Sequence, residues 1–197
     1  MSADSTPTPP LRLRTPRLEL IAGDAWTARA DADGDRARLA ELLNAAVPPE
    51  WPPELTLDVL EFFASTLAAR PAEVGWWGWF IVRDAAPDAA RVLVGGAGFK
   101  GPPTSDGTVE IGYSVLPAFQ RHGYATEALR ALLDWCFGDS RVQRVVGETF
   151  PELTASRRVM AKLGMAEVGP GNEPGTVQAV LRRADRTAVR LGEEAVP

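Results

Sequence analysis

Seven consecutive residues, Gln120-Arg121-His122-Gly123-Tyr124-Ala125-Thr126, set two basic side chains, a glycine and small residues between a strand-like run and a helix-like one. The start of a helix leaves backbone N–H groups without partners, and the aligned peptide dipoles add partial positive charge there. That combination suits a phosphate. Gly123 and Ala125 keep bulky side chains off the backbone, and Arg121 with His122 adds charge from the flank. Local physics leaves a second reading open, in which Gly123 serves a tight turn and the basic residues are merely solvated.

The elements that must position this heptapeptide are legible around it. VEIGYSVLP before it reads as a strand closed by Pro117. After it, Ala125, Leu129, Leu132 and Cys136 recur on one face of a helix beginning near His122 and stopped by Gly138. Upstream, WWGWFIV and RVLVGGAGF pair as neighbouring antiparallel strands, and Leu13, Leu18, Leu20 and Ile21 form a first strand. Two short helices fit between Asp24 and Ala46, broken at Gly34, and the prolines of residues 47–54 demand a loop. Thr56 then caps a helix carrying Leu57, Leu60, Phe63 and Leu67. Downstream, VQRVVGETF is a strand, Ala155, Val159, Met160 and Leu163 line a helix, and TVQAVLRR is the last strand. This order describes an α+β chain with a mixed sheet and helices on its faces.

Composition narrows the function. A chain of 197 residues, 45% hydrophobic, supports one core, expected over residues 13–183 with flexible tails at 1–12 and 184–197. A net charge of -5 argues against a nucleic-acid partner. Cys136 is the single cysteine and His122 the single histidine, which excludes an internal disulfide and a Cys/His zinc site. No apolar run is long enough for a bilayer and MSADSTPTPP lacks a secretion signal, so no membrane partner and a cytoplasmic location are expected.

Gly96-Ala97-Gly98-Phe99-Lys100-Gly101 matches the G-x-G-x-x-G spacing of dinucleotide loops. Pro102, Pro103 and a turn follow it, so no helix starts there to receive a pyrophosphate. The glycines are expected to let the strand bend or a ligand approach.

The heptapeptide, with VEIGYSVLP, GYATEALRALLDW and ETFPELTASRRVMAKLGM around it, resembles the GCN5-related N-acetyltransferase family. Its pattern Gln/Arg-x-x-Gly-x-Gly/Ala is met by Gln120, Gly123 and Ala125. With TPRLEL near the start, the branch of ribosomal-protein alanine N-acetyltransferases looks most similar. The resemblance implies the acyl-CoA N-acyltransferase fold, with a mostly antiparallel sheet splayed between its fourth and fifth strands. It implies acetyl-coenzyme A as cosubstrate, held by Gln120, Arg121, His122, Gly123, Tyr124, Ala125 and Thr126, with Val115 and Leu116 offering strand backbone to the pantetheine arm.

Acetyl transfer needs a neutral amine, stabilisation of the oxyanion and a proton for the leaving thiolate. By the resemblance, Glu110 is the expected base, with Glu148 in reserve; alternation places Glu110, Gly112 and Ser114 on one strand face. The tyrosine that many relatives carry in the last helix of the motif is replaced by Met160, and Ser156 is the candidate partner of the leaving group. Leu153 stands where the family usually has asparagine. The expected reaction is direct attack by a primary amine of a protein N-terminus or a small molecule; the alternative is a non-catalytic coenzyme A-binding module. Acceptor recognition is expected from the loop with Trp51 and from the helix after it. A homodimer stays open.

Overall fold

The computed structural model describes residues 10–53, 59–86 and 89–186. The first apolar run is split by Thr15-Pro16-Arg17 into β1 (Arg12–Arg14) and β2 (Leu18–Ala22), an antiparallel pair where one strand was expected. The first tail is shorter than expected, because Arg12 pairs with Ile21 and the Leu11 carbonyl accepts from Ala22 N–H at 2.9 Å. The rest of that tail, residues 1–9, lies outside the described residues.

Asp24 caps α1 (Ala25–Ala32) by accepting from the N–H groups of Trp26 and Thr27, while the Thr27 hydroxyl accepts from Asp24 N–H. Asp35 caps α2 (Arg36–Leu43), so two short helices form around Gly34. α3 (Leu60–Ala69) follows the proline-rich loop. The expected cap Thr56, together with Glu54, Leu57 and Asp58, lies outside the described residues.

β3 (Gly78–Arg83), β4 (Val92–Phe99) and β5 (Thr108–Val115) extend the antiparallel sheet. No helix follows the G-x-G-x-x-G stretch; β4 turns directly back into β5. Close strand packing explains Gly98 of that stretch and Gly95 just before it, since a Cβ on Gly95 would lie 2.4 Å from Ser114 O and one on Gly98 2.1 Å from Trp77 O. After α4 (Tyr124–Gly138), β6 (Arg144–Thr149) pairs parallel with β5. α5 (Thr154–Lys162) leads to β7 (Ala166–Pro170) and β8 (Val177–Arg182), giving the order β1-β2-β3-β4-β5-β6-β8-β7. Sequence pattern did not disclose β7: its residues are largely exposed and lack an alternating apolar face.

Helices cover both faces. Leu39 and Leu43 of α2 pack with Ile21, Phe80, Val82 and Leu93 on one. On the other, Leu129, Leu132 and Cys136 of α4 join the cluster of Leu18, Leu20, Ile81 and Phe99. Trp135 of α4 stacks against Phe99 and meets Trp76 and Trp79 at ring separations of 4.8 to 5.8 Å, which fixes the helix to the sheet. The expected tail from residue 184 is also corrected in part: Arg186 donates to Leu133 O at 2.6 Å and ion-pairs with Asp134, both on α4. Residues 187–197 lie outside the described residues.

Candidate active site

The pairing of β5 with β6 covers only Thr108, Glu110 and the residue between them. Beyond Glu110 the two strands separate, while β5 stays paired with β4 through Val115. Lys100 N–H donates to Glu110 O and Leu116 N–H to Val94 O, so the even-numbered backbone groups of β5 point to β4. Antiparallel alternation then turns the backbone groups of Tyr113 and Val115 into the gap. Leu116, expected to share that edge, has both groups engaged, since its carbonyl accepts from Phe119 N–H at 2.8 Å. Gln120 also turns inward, its Nε2 donating to Val115 O at 2.9 Å. It fixes the end of the strand at the mouth of the gap.

At that mouth α4 begins, at Tyr124 rather than His122. Its N-cap, Gly123, has a φ of 82° and no side chain to cap with. Among the described residues the N–H groups of Tyr124, Ala125 and Thr126 have no acceptor, as expected for an uncapped first turn. Arg121 also has a positive φ, 64°, and Arg121, His122 and Gly123 are exposed. His122 stacks on Tyr124 with ring centroids 5.6 Å apart. The whole turn is held from outside by Arg17: its Nη1 donates to His122 O at 3.0 Å, its Nε to Glu127 Oε2 at 2.7 Å, and its guanidinium lies 5.0 Å over the Tyr124 ring.

On the face of the sheet shared by Gly112 and Ser114, a cavity of ≈ 370 Å³ opens beside the same strand. Gly96, Gly98 and Gly112 form its floor, and Trp51, Trp77, Phe62 and Phe63 contribute aromatic walls. Trp51 rests on Gly96, where a Cβ would come within 3.4 Å of its ring. Asp31, 7% exposed, also lines the cavity and accepts from Trp51 Nε1 at 2.6 Å. Burial pushes the Asp31 carboxyl up to about 6, against the opposing effect of the Trp51 hydrogen bond. Trp76, Trp77 and Trp79 are all buried; Trp77 and Trp79 line the cavity, and Trp76 belongs to the core.

The acid–base candidates are placed unequally. Glu110 sits 2.5 Å from Lys100 Nζ, and Lys100 lines the cavity. Burial disfavours the Lys100 charge, but the hydrogen bond and charge of Glu110 outweigh it and hold the ammonium above its usual range. Glu148 is consumed by structure, accepting from Asn172 N–H, Asn172 Nδ2, Gln178 Nε2 and Thr176 Oγ1. Burial opposes its charge, and those bonds outweigh the burial and lower its pKa. A carboxylate so satisfied is a poor base. Ser156 Oγ lies 2.9 Å from Tyr113 OH, and the same phenol donates to Ser156 O at 3.1 Å. Leu153 is the N-cap of α5, 45% exposed and without a capping side chain.

A family model described as an acetyltransferase (GNAT) domain matches residues 11–166. The chain belongs to the GNAT acetyltransferase family. The uncharacterized N-acetyltransferase YjdG of Bacillus subtilis is 28% identical over 152 residues, covering 77% of this chain and 88% of that protein. Two solved structures share the fold. A putative ribosomal-protein-serine acetyltransferase from Vibrio cholerae superposes with a TM-score of 0.59 at 22% identity, covering 89% of this chain and 99% of that one. The aminoglycoside acetyltransferase AAC(6')-Ib in complex with coenzyme A and kanamycin superposes with a TM-score of 0.57 at 17% identity, covering 88% and 99%. The GNAT chain described here is accordingly an acetyl-coenzyme A-dependent N-acyltransferase.

The residues present fit that cosubstrate. An uncapped helix start with free N–H groups, a glycine whose Cβ would approach Arg17 Nη2 at 3.4 Å, and a strand edge facing a gap supply what a pyrophosphate and an extended amide arm require. Sequence reading missed the contacts that Arg17 makes with this turn and that Tyr113 makes beside the gap. The run TPRLEL marks Arg17 only through the resemblance; its contact with Glu127 spans 110 residues and has no local signal. No group of His, Cys, Asp and Glu among the described residues could hold a metal, and no described helix is long and apolar enough to cross a membrane.

Proposed function

We propose that this enzyme acetylates a primary amine by direct attack on the thioester, with the amine arriving through the glycine-floored cavity and the cosubstrate entering through the gap between β5 and β6. Acetyl-coenzyme A supplies the activated acyl carbonyl and a thiolate leaving group. The N–H groups from Arg121 to Thr126 bind its pyrophosphate, with the positive end of α4 behind them. Tyr113 and Val115 offer their backbone to the extended arm, and their N–H groups, turned into the gap, are the donors offered to a developing oxyanion.

Glu110 accepts the amine proton, directly or through a water, and Lys100, which lines the cavity, pairs with that carboxylate at 2.5 Å. The hydroxyl pair of Tyr113 and Ser156 holds the proton for the departing sulfur. Tyr113 thereby fills from a strand the role that the resemblance assigns to a helix tyrosine. The observation that carries the reading is the loss of pairing on one edge of β5 directly beside the uncapped start of α4.

Calorimetric titration with coenzyme A, together with thiol release from acetyl-coenzyme A in the presence of amines, tests it. Replacing Gly123 by valine forces a β-branched residue to a φ of 82° and a side chain into the cradle. Coenzyme A affinity is expected to fall about tenfold or more, over 1.4 kcal/mol. Unchanged affinity in a folded variant would remove the phosphate site.

A further inference from the structure

Gly112 is a glycine without a structural reason. Its Cβ would meet no atom within 4 Å, and it is not among the residues with positive φ. Gly98 differs, because packing against the Trp77 carbonyl forbids any side chain there. The fold thus leaves open space over β5 at the point where Gly112 and Ser114 face the cavity. A strand interior gains stability from a β-branched residue, so a glycine here weakens the strand without a return in packing.

What surrounds that space is flat and apolar. Trp51 closes over Gly96, the Trp77 ring stands by Gly101, where a Cβ would come within 3.3 Å of it, and Phe62 meets Trp77 edge-on at 5.4 Å. Among the described residues, two charged side chains line the cavity, Asp31 and Lys100. Lys100 is engaged with Glu110, and it would repel a polycation at the inner end. Asp31 has Trp51 as its described side-chain partner and is the single carboxylate among the described residues of the wall. One carboxylate cannot match several ammonium groups.

Resting on the acetyl-transfer reading, we propose that the acceptor is a primary amine carried on a flat, uncharged, apolar body, an arylalkylamine in chemical class. The ring lies over Gly112 between Trp51 and Trp77, where offset or edge-on contacts with the walls are available. Asp31 accepts a hydrogen bond from a second polar group of the same molecule or from the amine as it enters. The volume of ≈ 370 Å³ sits at the small end of ligand pockets, roughly 300 to 1,000 Å³.

The test compares 2-phenylethylamine and tryptamine with spermidine, kanamycin and a short peptide with a free N-terminus, each with acetyl-coenzyme A, by thiol release. The arylalkylamines are expected to exceed the others in kcat/KM by about 100-fold. Gly112→Val fills the open space, so its kcat/KM for 2-phenylethylamine is expected to drop about 10- to 100-fold while its coenzyme A affinity stays within about twofold. Gly112→Ala should fall between the two. Turnover confined to spermidine, kanamycin or the peptide would overturn the substrate class and leave acetyl transfer standing, as would full arylalkylamine activity in Gly112→Val. Failure of the wild-type protein to bind coenzyme A would overturn both readings.

Discussion

Arg17 grips Glu127 across 110 residues of sequence, with its backbone N–H on one carboxylate oxygen at 3.0 Å and its guanidinium on the other at 2.6 to 2.7 Å. Thr15 adds a bond of 2.6 Å to the first oxygen, so the turn between β1 and β2 is latched to the first turn of α4. Glu127 is the acidic residue of that turn, where it also favours the positive end of the helix. Since Arg17 reaches on to His122 O, the latch sets the shape of the turn that receives the pyrophosphate.

Arg17→Ala is therefore expected to weaken coenzyme A binding about tenfold, read by titration calorimetry, and to lower stability by only about 1 kcal/mol because the pair is partly solvated. Burial raises the Glu127 pKa, and the bonds from Thr15 and Arg17 outweigh it, so the folded value is depressed. A depressed carboxyl contributes stability above its unfolded pKa and loses it as pH falls through the folded value. Glu127→Gln should flatten that acid limb in urea titrations, from about pH 5 downward through and below the ordinary carboxyl value of 4.5.

Tyr113 and Ser156 make a second, different prediction. Burial raises the phenol above 10.0, with the Ser156 bond opposing, so Tyr113 keeps its proton throughout the ordinary assay range. Tyr113→Phe is expected to reduce kcat about 100-fold while leaving KM for acetyl-coenzyme A within about threefold. Ser156→Ala should reduce kcat less, since it removes the partner and leaves the donor. A wild-type fall in kcat centred below pH 10 would assign the proton to another group.

Asp31 is expected to cost the fold stability at neutral pH. Its folded pKa is about 6 against an ordinary 3.8, so the folded chain binds a proton that the unfolded chain has released. The Asp31 contribution to stability is then greatest below pH 3.8, declines as pH rises toward 6 and is flat beyond, a loss on the order of 3 kcal/mol. Asp31→Asn keeps an oxygen for Trp51 Nε1 and has no such decline. Its melting temperature should exceed the wild type at pH 7.5 and match it near pH 4; equal values at both would show that Asp31 is not strained by burial.

The residues that carried local signals were read well, and those defined by tertiary proximity were not. The α4 face repeats at helical spacing, and its glycine start is visible because only a short-range conformational need is involved. β5 alternates, so the partition of Gly112 and Ser114 from Ile111 follows from period alone. β1 and β2 were merged because a single proline turn separates two apolar runs that look continuous. Arg17, Asp31 and Tyr113 each acquire meaning from a partner on a distant element, Glu127, Trp51 and Ser156. Such pairings leave no trace in spacing.

Leu153 gives the last prediction, because its position combines a stability defect with a cofactor question. It is the N-cap of α5, yet it offers no acceptor to the first-turn N–H groups, and 45% of it is exposed, so truncating it loses little packing. An asparagine there can accept from a backbone N–H two or three residues on, that of Ala155 or Ser156. Leu153→Asn is expected to raise unfolding stability by about 1 kcal/mol in urea titration. The same side chain restores the polar group that the family pattern has beside the cofactor arm, so coenzyme A affinity should rise about threefold or more if that arm passes α5. Gain of stability without gain of affinity would place the arm away from the start of α5.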